Sequence, residues 1–365
     1  MRRRSLLPAL LAALALAGCA PPGYYLQAAE GHFELWRLAR PLEDVQGDPL
    51  VPASLQERLA AAASIRDFAS RELALPDNGS YRRYAALDRS YVVWNVLAAE
   101  EFSVRPKEWC FPVAGCVGYR GYFSRREADA FVAALREQGL DAHVGGVPAY
   151  STLGWFDDPL LSTFIHYPDT DLARLMFHEL SHQVAYARDD TEFNESFAVV
   201  VEQEGLRRWL TARNNEAMRR DHERAQRMRA DFLRLVLDAR SRLETVYASP
   251  LPDEEKRREK ARVFASLRSD YDALKAGPWR GYAGYDRWLG QEINNATLAS
   301  VGLYQQLVPA FEVLLEHQGR DLPRFYAEVK ALADLPREER RRRLDAYCAS
   351  RCNDSSPRGS HLPST

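Results

Sequence analysis

Two histidines four residues apart, with a glutamate beside the first, constrain this chain more tightly than any other feature. The stretch is Leu175-Met176-Phe177-His178-Glu179-Leu180-Ser181-His182-Gln183. On an α-helix, positions i and i+4 share a face, so the segment must be helical if the two imidazoles act together. Two imidazoles so placed can hold one zinc ion at about 2.0–2.1 Å each. Glu179 then stands beside the metal rather than on it, where it can act as a general base. Leu175, Phe177, Leu180 and Val184 give the helix an apolar surface to bury. The bland reading is two helical histidines with no shared task. A third ligand separates the readings, because a catalytic zinc site needs three protein ligands and an open position. Glu195, in Phe193-Asn194-Glu195-Ser196-Phe197-Ala198, lies 13 residues beyond His182. Arg188-Asp189-Asp190 reads as a turn, so a helix–turn–helix returns Glu195 to the metal. Glu192 is the runner-up ligand. Glu202, seven residues after Glu195, comes back to nearly the same face. It can hydrogen-bond a ligand histidine from behind, or line the cleft.

The N-terminus sets the compartment. Arg2-Arg3-Arg4 precede an apolar run, Leu6–Ala17, that is shorter than the roughly 20 residues a spanning helix needs. Residues 1–18 therefore read as a secretory signal peptide. Its end, Leu16-Ala17-Gly18-Cys19, resembles a bacterial lipobox, in which Cys19 is acylated and becomes the first mature residue. Ala20 in place of Asp points to the outer membrane, facing the periplasm. The chain has 365 residues, with 49 Lys and Arg, 51 Asp and Glu, and five cysteines. Without residues 1–18, which hold three arginines and no acids, 46 basic and 51 acidic residues remain. That acidic balance gives no electrostatic case for nucleic acid. A chain with 46% hydrophobic and 27% charged residues is not disordered, collagenous or multi-span. With Cys19 assigned to lipid, Cys110, Cys116, Cys348 and Cys352 remain, and an oxidising periplasm suggests two disulfides. Close spacing favours Cys110–Cys116 and Cys348–Cys352. A four-cysteine zinc site is the competing reading.

Along the mature chain, helical patterns cover about 23–39, 54–74 and 80–101. Ser54 and Glu57 form a capping-box signature for the second. Val117–Phe123 reads as a strand, 124–138 as a helix capped by Ser124 and stopped at Gly139, and 140–156 as one or two strands broken at Gly145-Gly146. Asp169 or Thr170 caps the helix that carries the two histidines. A long charged helix over 205–247, a turn at Pro250 and Pro252, and a second charged helix over 253–275 suggest a hairpin. Its charges read as a solvated face laced by ion pairs, as does the Arg340–Arg343 run. Shorter helices follow near 286–302, 304–318, 323–334 and 336–347. His166 reads as a buried structural histidine, and the tail from Asn353 as disordered.

HELSHQ followed by NESFAVVVE resembles the gluzincin metallopeptidases, and especially the aminopeptidase N-like pattern of HELAHQ followed by NEGFA and a later Glu. By position, His178, His182 and Glu195 match the ligands, Glu179 the general base and Glu202 the later acid. The departures are a shorter ligand loop and the lack of that family's GAMEN segment. The amine-binding assignment therefore does not carry over. The Cys-anchored N-terminus, Gly118–Phe123, Tyr150–Phe156, the HExxH and Asn294-Asn295-Ala296 together look like a family of bacterial lipoproteins named putative aminopeptidases.

The resemblance implies an α+β, predominantly helical fold: a zincin-like catalytic core with a small sheet and a long charged helical hairpin. The corresponding regions are the signal peptide (1–18), an N-terminal helical region (19–105), the core (106–204), the hairpin (205–276), a C-terminal helical region (277–347) and a tail (348–365). It implies a membrane-anchored zinc metallopeptidase, an aminopeptidase by name, with peptide as substrate and one zinc ion. Tyr304, then Tyr285 and Tyr282, are the candidates to stabilise the oxyanion. Tyr150, Ser151, Thr152, Leu153 and Gly154 are the candidate edge strand for pairing with substrate backbone. Glu202, Glu192 and Asp158 are possible anchors for a free α-amine. The contrasting hypothesis is a binding or assembly lipoprotein of the cell envelope that keeps the fold without turnover.

Overall fold

The computed structural model describes residues 22–111, 115–149 and 151–349, and their side chains except those of 302–305, 348 and 349. In chain order the elements are α1 (Pro22–Leu38), β1 (Arg40–Pro41), α2 (Leu42–Gln46), α3 (Ala53–Leu73), β2 (Arg83–Ala85) and β3 (Val93–Ala99). Next come β4 (Trp109–Phe111), β5 (Gly115–Val117), β6 (Arg120–Tyr122), α4 (Arg125–Glu137), β7 (Asp141–Val147) and β8 (Leu160–Leu161). The remainder is helical: α5 (Asp169–Ser181), α6 (Thr191–Arg213), α7 (Glu216–Ala248), α8 (Asp253–Ala276), α9 (Asp286–Leu289), α10 (Asn295–Gln305), α11 (Val308–His317), α12 (Leu322–Ala333) and α13 (Arg337–Ala349). The fold is predominantly helical with small sheets, consistent with α+β.

One sheet, in the order β6-β3-β7, is antiparallel throughout, with Asn95 opposite both Gly121 and Gly145. Strand alternation sorts its residues. Val96 and Ala98 of β3 pack with Ala128, Val132 and Leu135, spaced along one face of α4. Val93 and Asn95 face the other way and line a cleft. Ser124 caps α4 by accepting from the Glu127 backbone N–H at 3.4 Å, as expected, and Gly139 follows at φ +81°.

The main core joins the stripe Leu59, Ile65, Ala69 and Leu73 of α3 to Met176, Phe177 and Leu180 of α5, Phe193 and Phe197 of α6, and Phe311 and Phe325 of α11 and α12. Gly205 of α6 sits against this stripe. A Cβ there would come within 2.8 Å of both Leu73 Cδ1 and Phe177 Cδ2, so its absence lets three helices close up. A second core forms between α7 and α8, where Phe232, Val236 and Leu243 meet Val263 and Leu267.

Several expectations are corrected. Residues 80–101 are not a helix but contain β2 and β3. The spacing of Tyr84, Leu87, Tyr91, Trp94 and Leu97 imitated a helix, while Val92–Leu97 is a β-prone run with Val92, Val93, Val96 and Leu97 buried and Trp94 and Asn95 half-buried. The central strand of the sheet thus comes from before residue 105. β7 runs through Gly145-Gly146 unbroken, because Gly146 admits the Tyr91 ring, whose Cδ2 would lie 2.4 Å from an added Cβ. The helix read over 205–247 is two helices. Asn214 takes the left-handed conformation at φ 49° and Asn215 caps α7 by accepting from Met218 N–H at 3.1 Å. Helix α3 starts after Pro52 without a Ser54 cap, and Pro168 precedes α5. His166 is exposed, not buried. Arg340 does not face solvent. It is 3% exposed, pairs with Asp190 at 2.6 Å, and donates to the carbonyls of Leu332, Ala333 and Leu335. Cys110 and Cys116 form a disulfide. Cys19, Tyr150, Cys352 and the tail lie outside the described residues, as do the side chains of Cys348 and Tyr304.

Candidate metal centre

Helices α5 and α6 are joined by a turn that the sequence builds carefully. Asp190 caps α6, its carboxylate accepting from Phe193 N–H at 3.2 Å. Asn194 reaches back across the turn. Its carbonyl accepts from Ala187 N–H at 2.7 Å and its amide donates to the Ala187 carbonyl at 2.9 Å. Asn194 therefore locks the turn that presents Glu195, and this gives the Asn of Asn194-Glu195 a physical role.

His178, His182 and Glu195 converge, with one donor atom from each lying within 4.8 Å of the others. His178 Nε2 is 3.2 Å from Glu195 Oε2, and His182 Nε2 is 3.9 Å from the same oxygen. Ligands about 2.0–2.2 Å from a tetrahedral ion stand roughly 3.3–3.6 Å apart, so this set needs little movement to close on one. His182 Nδ1 is buried without a hydrogen-bond partner, and burial lowers the pKa of this imidazole to about 4. Burial also acts on His178, but hydrogen bonds to Glu195 and Glu202 outweigh it and raise its pKa to about 10.

Glu202 stands behind His178, 3.0 Å from Nδ1, with Arg174 at 3.3 Å and Arg229 of α7 at 3.9 Å. Burial would raise its pKa, yet His178 and the two arginines bring it down to about 2. Glu179 is held apart from the three donors. Burial pushes it up to about 7, with His178 pulling down and Glu195, Asp158 and Glu202 adding to the rise.

The centre forms one wall of a cleft of about 400 Å³. The rest is largely apolar or aromatic: Tyr24 and Ala28 of α1, Val93, Phe111, Phe123 and Val147, with Ser151 and Leu153 at one side. Ser151–Gly154 is not a strand but a turn, with Leu153 at φ 58° and Gly154 at φ 80°, pinned where Thr152 N–H donates to Asp158 at 3.0 Å. Tyr119 and Tyr186 line the cleft beside the metal donors. Burial and the nearby Glu195 raise the pKa of both, well above the usual value for Tyr119 and to about 12 for Tyr186, so both keep their protons. Tyr285 and Tyr282 are elsewhere. Tyr285 stacks on Phe232 at 3.9 Å in the hairpin core, and Tyr282 and Tyr285 line a separate cavity with Arg174, His222 and Arg229. Glu192 pairs with Arg341 and lines a third cavity.

Neither Tyr119 nor Tyr186 was singled out from the sequence. Tyr186 follows His182 by one helical turn's length, and Tyr119 lies in the Gly118–Phe123 segment, so spacing offered a hint for each.

A buried His-His-Glu donor set with a separate carboxylate at the wall of a cleft defines a protein with a candidate metal-dependent active site. The chain belongs to the family described as "Putative aminopeptidase", whose model matches residues 23–344. That description points to a peptidase acting on peptide substrates. No curated protein and no solved structure matches the chain.

Proposed function

We propose that the chain is a zinc peptidase, anchored to a periplasm-facing membrane, the outer membrane by its Ala20 sorting residue, through acyl chains on Cys19. The observation that carries the catalytic reading is the convergence of His178, His182 and Glu195 beside an uncommitted Glu179. A bound zinc ion would supply Lewis-acid polarisation of the scissile carbonyl and of the attacking water. Glu179, near neutrality in its pKa, accepts the proton from that water and returns it to the leaving amine. Tyr119 and Tyr186 replace Tyr285 and Tyr282 as described donors toward the developing oxyanion. The apolar walls exclude water and favour bulky apolar side chains flanking the cleaved bond.

Glu179→Gln tests the reading. It should retain about one zinc per chain and lose activity by roughly 10²–10⁴-fold. Undiminished hydrolysis by this variant would remove Glu179 from the mechanism. Zinc retained by the wild type with no cleavage of any peptide library would favour the non-catalytic binding lipoprotein.

One observation favours internal bonds over N-terminal ones. Among the described residues lining the cleft, the only carboxylates are Glu179 and Glu195. Glu202 is engaged with His178 and two arginines, Glu192 with Arg341, and Asp158 with the Thr152 turn. Comparison of free and N-acetylated peptides decides between them: equal rates assign endopeptidase action, and loss on acetylation assigns an aminopeptidase.

A further inference from the structure

The outward face of α1 is apolar where a surface helix ordinarily carries charge. Leu26, Phe33 and Trp36 are 60%, 59% and 66% exposed, and Pro22 and Ala29 are exposed on the same side. Positions 22, 26, 29, 33 and 36 follow the helical period, so they form one stripe. Exposed Glu30 and Arg37 flank it. Trp155 and Phe156, also exposed, extend the patch, the Phe156 ring lying 4.5 Å from His32 of α1. Five of the eight large hydrophobic side chains exposed among the described residues fall in this patch. Scattered exposed apolar residues need no explanation, whereas a contiguous group marks a contact surface.

We propose that this patch docks the protein on a phospholipid bilayer. The position of the chain's own attachment point selects that occupant. Cys19 stands three residues before Pro22, and an extended chain covers at most about 3.6 Å per residue. Acylation at Cys19 therefore holds the start of α1 within roughly 11 Å of the lipid headgroups. A helix held there with Leu, Phe and Trp along one side has the make-up of an interfacial helix. Tyr24 and Ala28, on the inner side of α1, line the cleft, and Ser151 and Leu153 immediately precede Trp155 and Phe156. Docking thus sets the cleft beside the bilayer surface. The choice of occupant rests on the acylation of Cys19 proposed above, and that last consequence rests on the peptidase reading as well.

The test uses the mature chain from residue 19 with Cys19→Ser, which carries neither the acyl attachment nor the apolar leader, and vesicles of phosphatidylethanolamine and phosphatidylglycerol. The comparison is the same chain carrying Leu26→Ser, Phe33→Ser and Trp36→Ser. Circular dichroism with metal content checks the fold of both. The parent should float with vesicles and show tryptophan quenching by brominated lipid. The triple variant should partition at least about tenfold more weakly and lose quenching. Equal flotation and quenching of the two chains overturns the proposal. So does a concentration-dependent dimer that the variant loses while neither chain binds vesicles, which assigns the face to a second copy.

Discussion

Glu202 ties the candidate metal donors to the rest of the molecule through a single carboxylate. It meets His178 Nδ1, Arg174 and Arg229, and its position fixes which imidazole nitrogen points to Glu195. Glu202→Gln keeps the shape but removes the charge. Outer partners of ligand histidines are worth about 10–100-fold in metal affinity, so zinc titration should show a loss of that size with unchanged circular dichroism. Unchanged affinity would reduce Glu202 to packing. Asp158 is 5% exposed, and burial lifts its pKa to about 6 against the hydrogen bonds it accepts. The folded state holds this proton more tightly than the unfolded chain does. Its contribution to stability is thus full below about pH 4 and is lost as pH rises through 6, on the order of 3 kcal/mol. Urea melts of Asp158→Asn should lack that decline between pH 4 and 7, and a slope equal to the wild type's would refute the assignment. At this scale His178 and His182 were legible from helical spacing, and Glu195 from the turn signal at Arg188-Asp189-Asp190 that returns the chain to them. Tyr119 and Tyr186 were not, since their approach depends on β5, β6 and the α5–α6 turn folding together.

Among elements, the pair α5 and α6 sets the precision of the site, and Gly205 shows how closely they must pack. In an open helix Gly→Ala stabilises by about 1 kcal/mol. At Gly205 the added methyl would lie 2.8 Å from Leu73 Cδ1 and Phe177 Cδ2, both fully buried. Overpacking of this kind costs about 1–3 kcal/mol, so the steric effect wins. Gly205→Ala should lower the urea midpoint and, because Phe177 adjoins His178, weaken metal binding. A raised midpoint would mean that the core yields there. Helix α4, with its Ser124 cap and Gly139 stop, was readable because both signals act locally. The strands in 80–101 were misread for the converse reason. Trp94 and Leu97 share a helical spacing by accident, and only pairing with β6 and β7 decides that Val96 faces α4 while Asn95 faces the cleft.

For the molecule as a whole, the junction at Asn295 joins the hairpin to the sheet that walls the cleft. The Asn295 amide donates to the Glu100 and Glu101 carbonyls at 3.1 and 2.8 Å, its backbone N–H donates to Asp141 at 2.9 Å, and its side-chain oxygen accepts from Tyr247 at 2.7 Å. Lys260 of α8 adds an ion pair to Asp141 at 2.7 Å and donates to the Glu101 carbonyl at 3.1 Å. The segment after β3 and helix α7 thus meet at the Asn295 side chain, its backbone N–H ties in the start of β7, and α8 joins through Lys260. The sequence marked Asn294-Asn295-Ala296 only by resemblance, since nothing local says that two asparagines will join distant segments. The junction also bears on the site, because Arg229, which faces Glu202, belongs to the hairpin. Asn295→Ala leaves two carbonyls and the Tyr247 hydroxyl without this partner, at a cost of roughly 1–3 kcal/mol. Hydrogen exchange should rise along α7 and α8 while α3 and α5 stay protected, because the main core does not pass through this residue. Zinc release to a chelator should quicken at the same time, since a loosened hairpin moves Arg229 away from Glu202. A rise in exchange spread evenly over the molecule, with zinc release unchanged, would mean that the hairpin is not coupled to the metal donors through this contact.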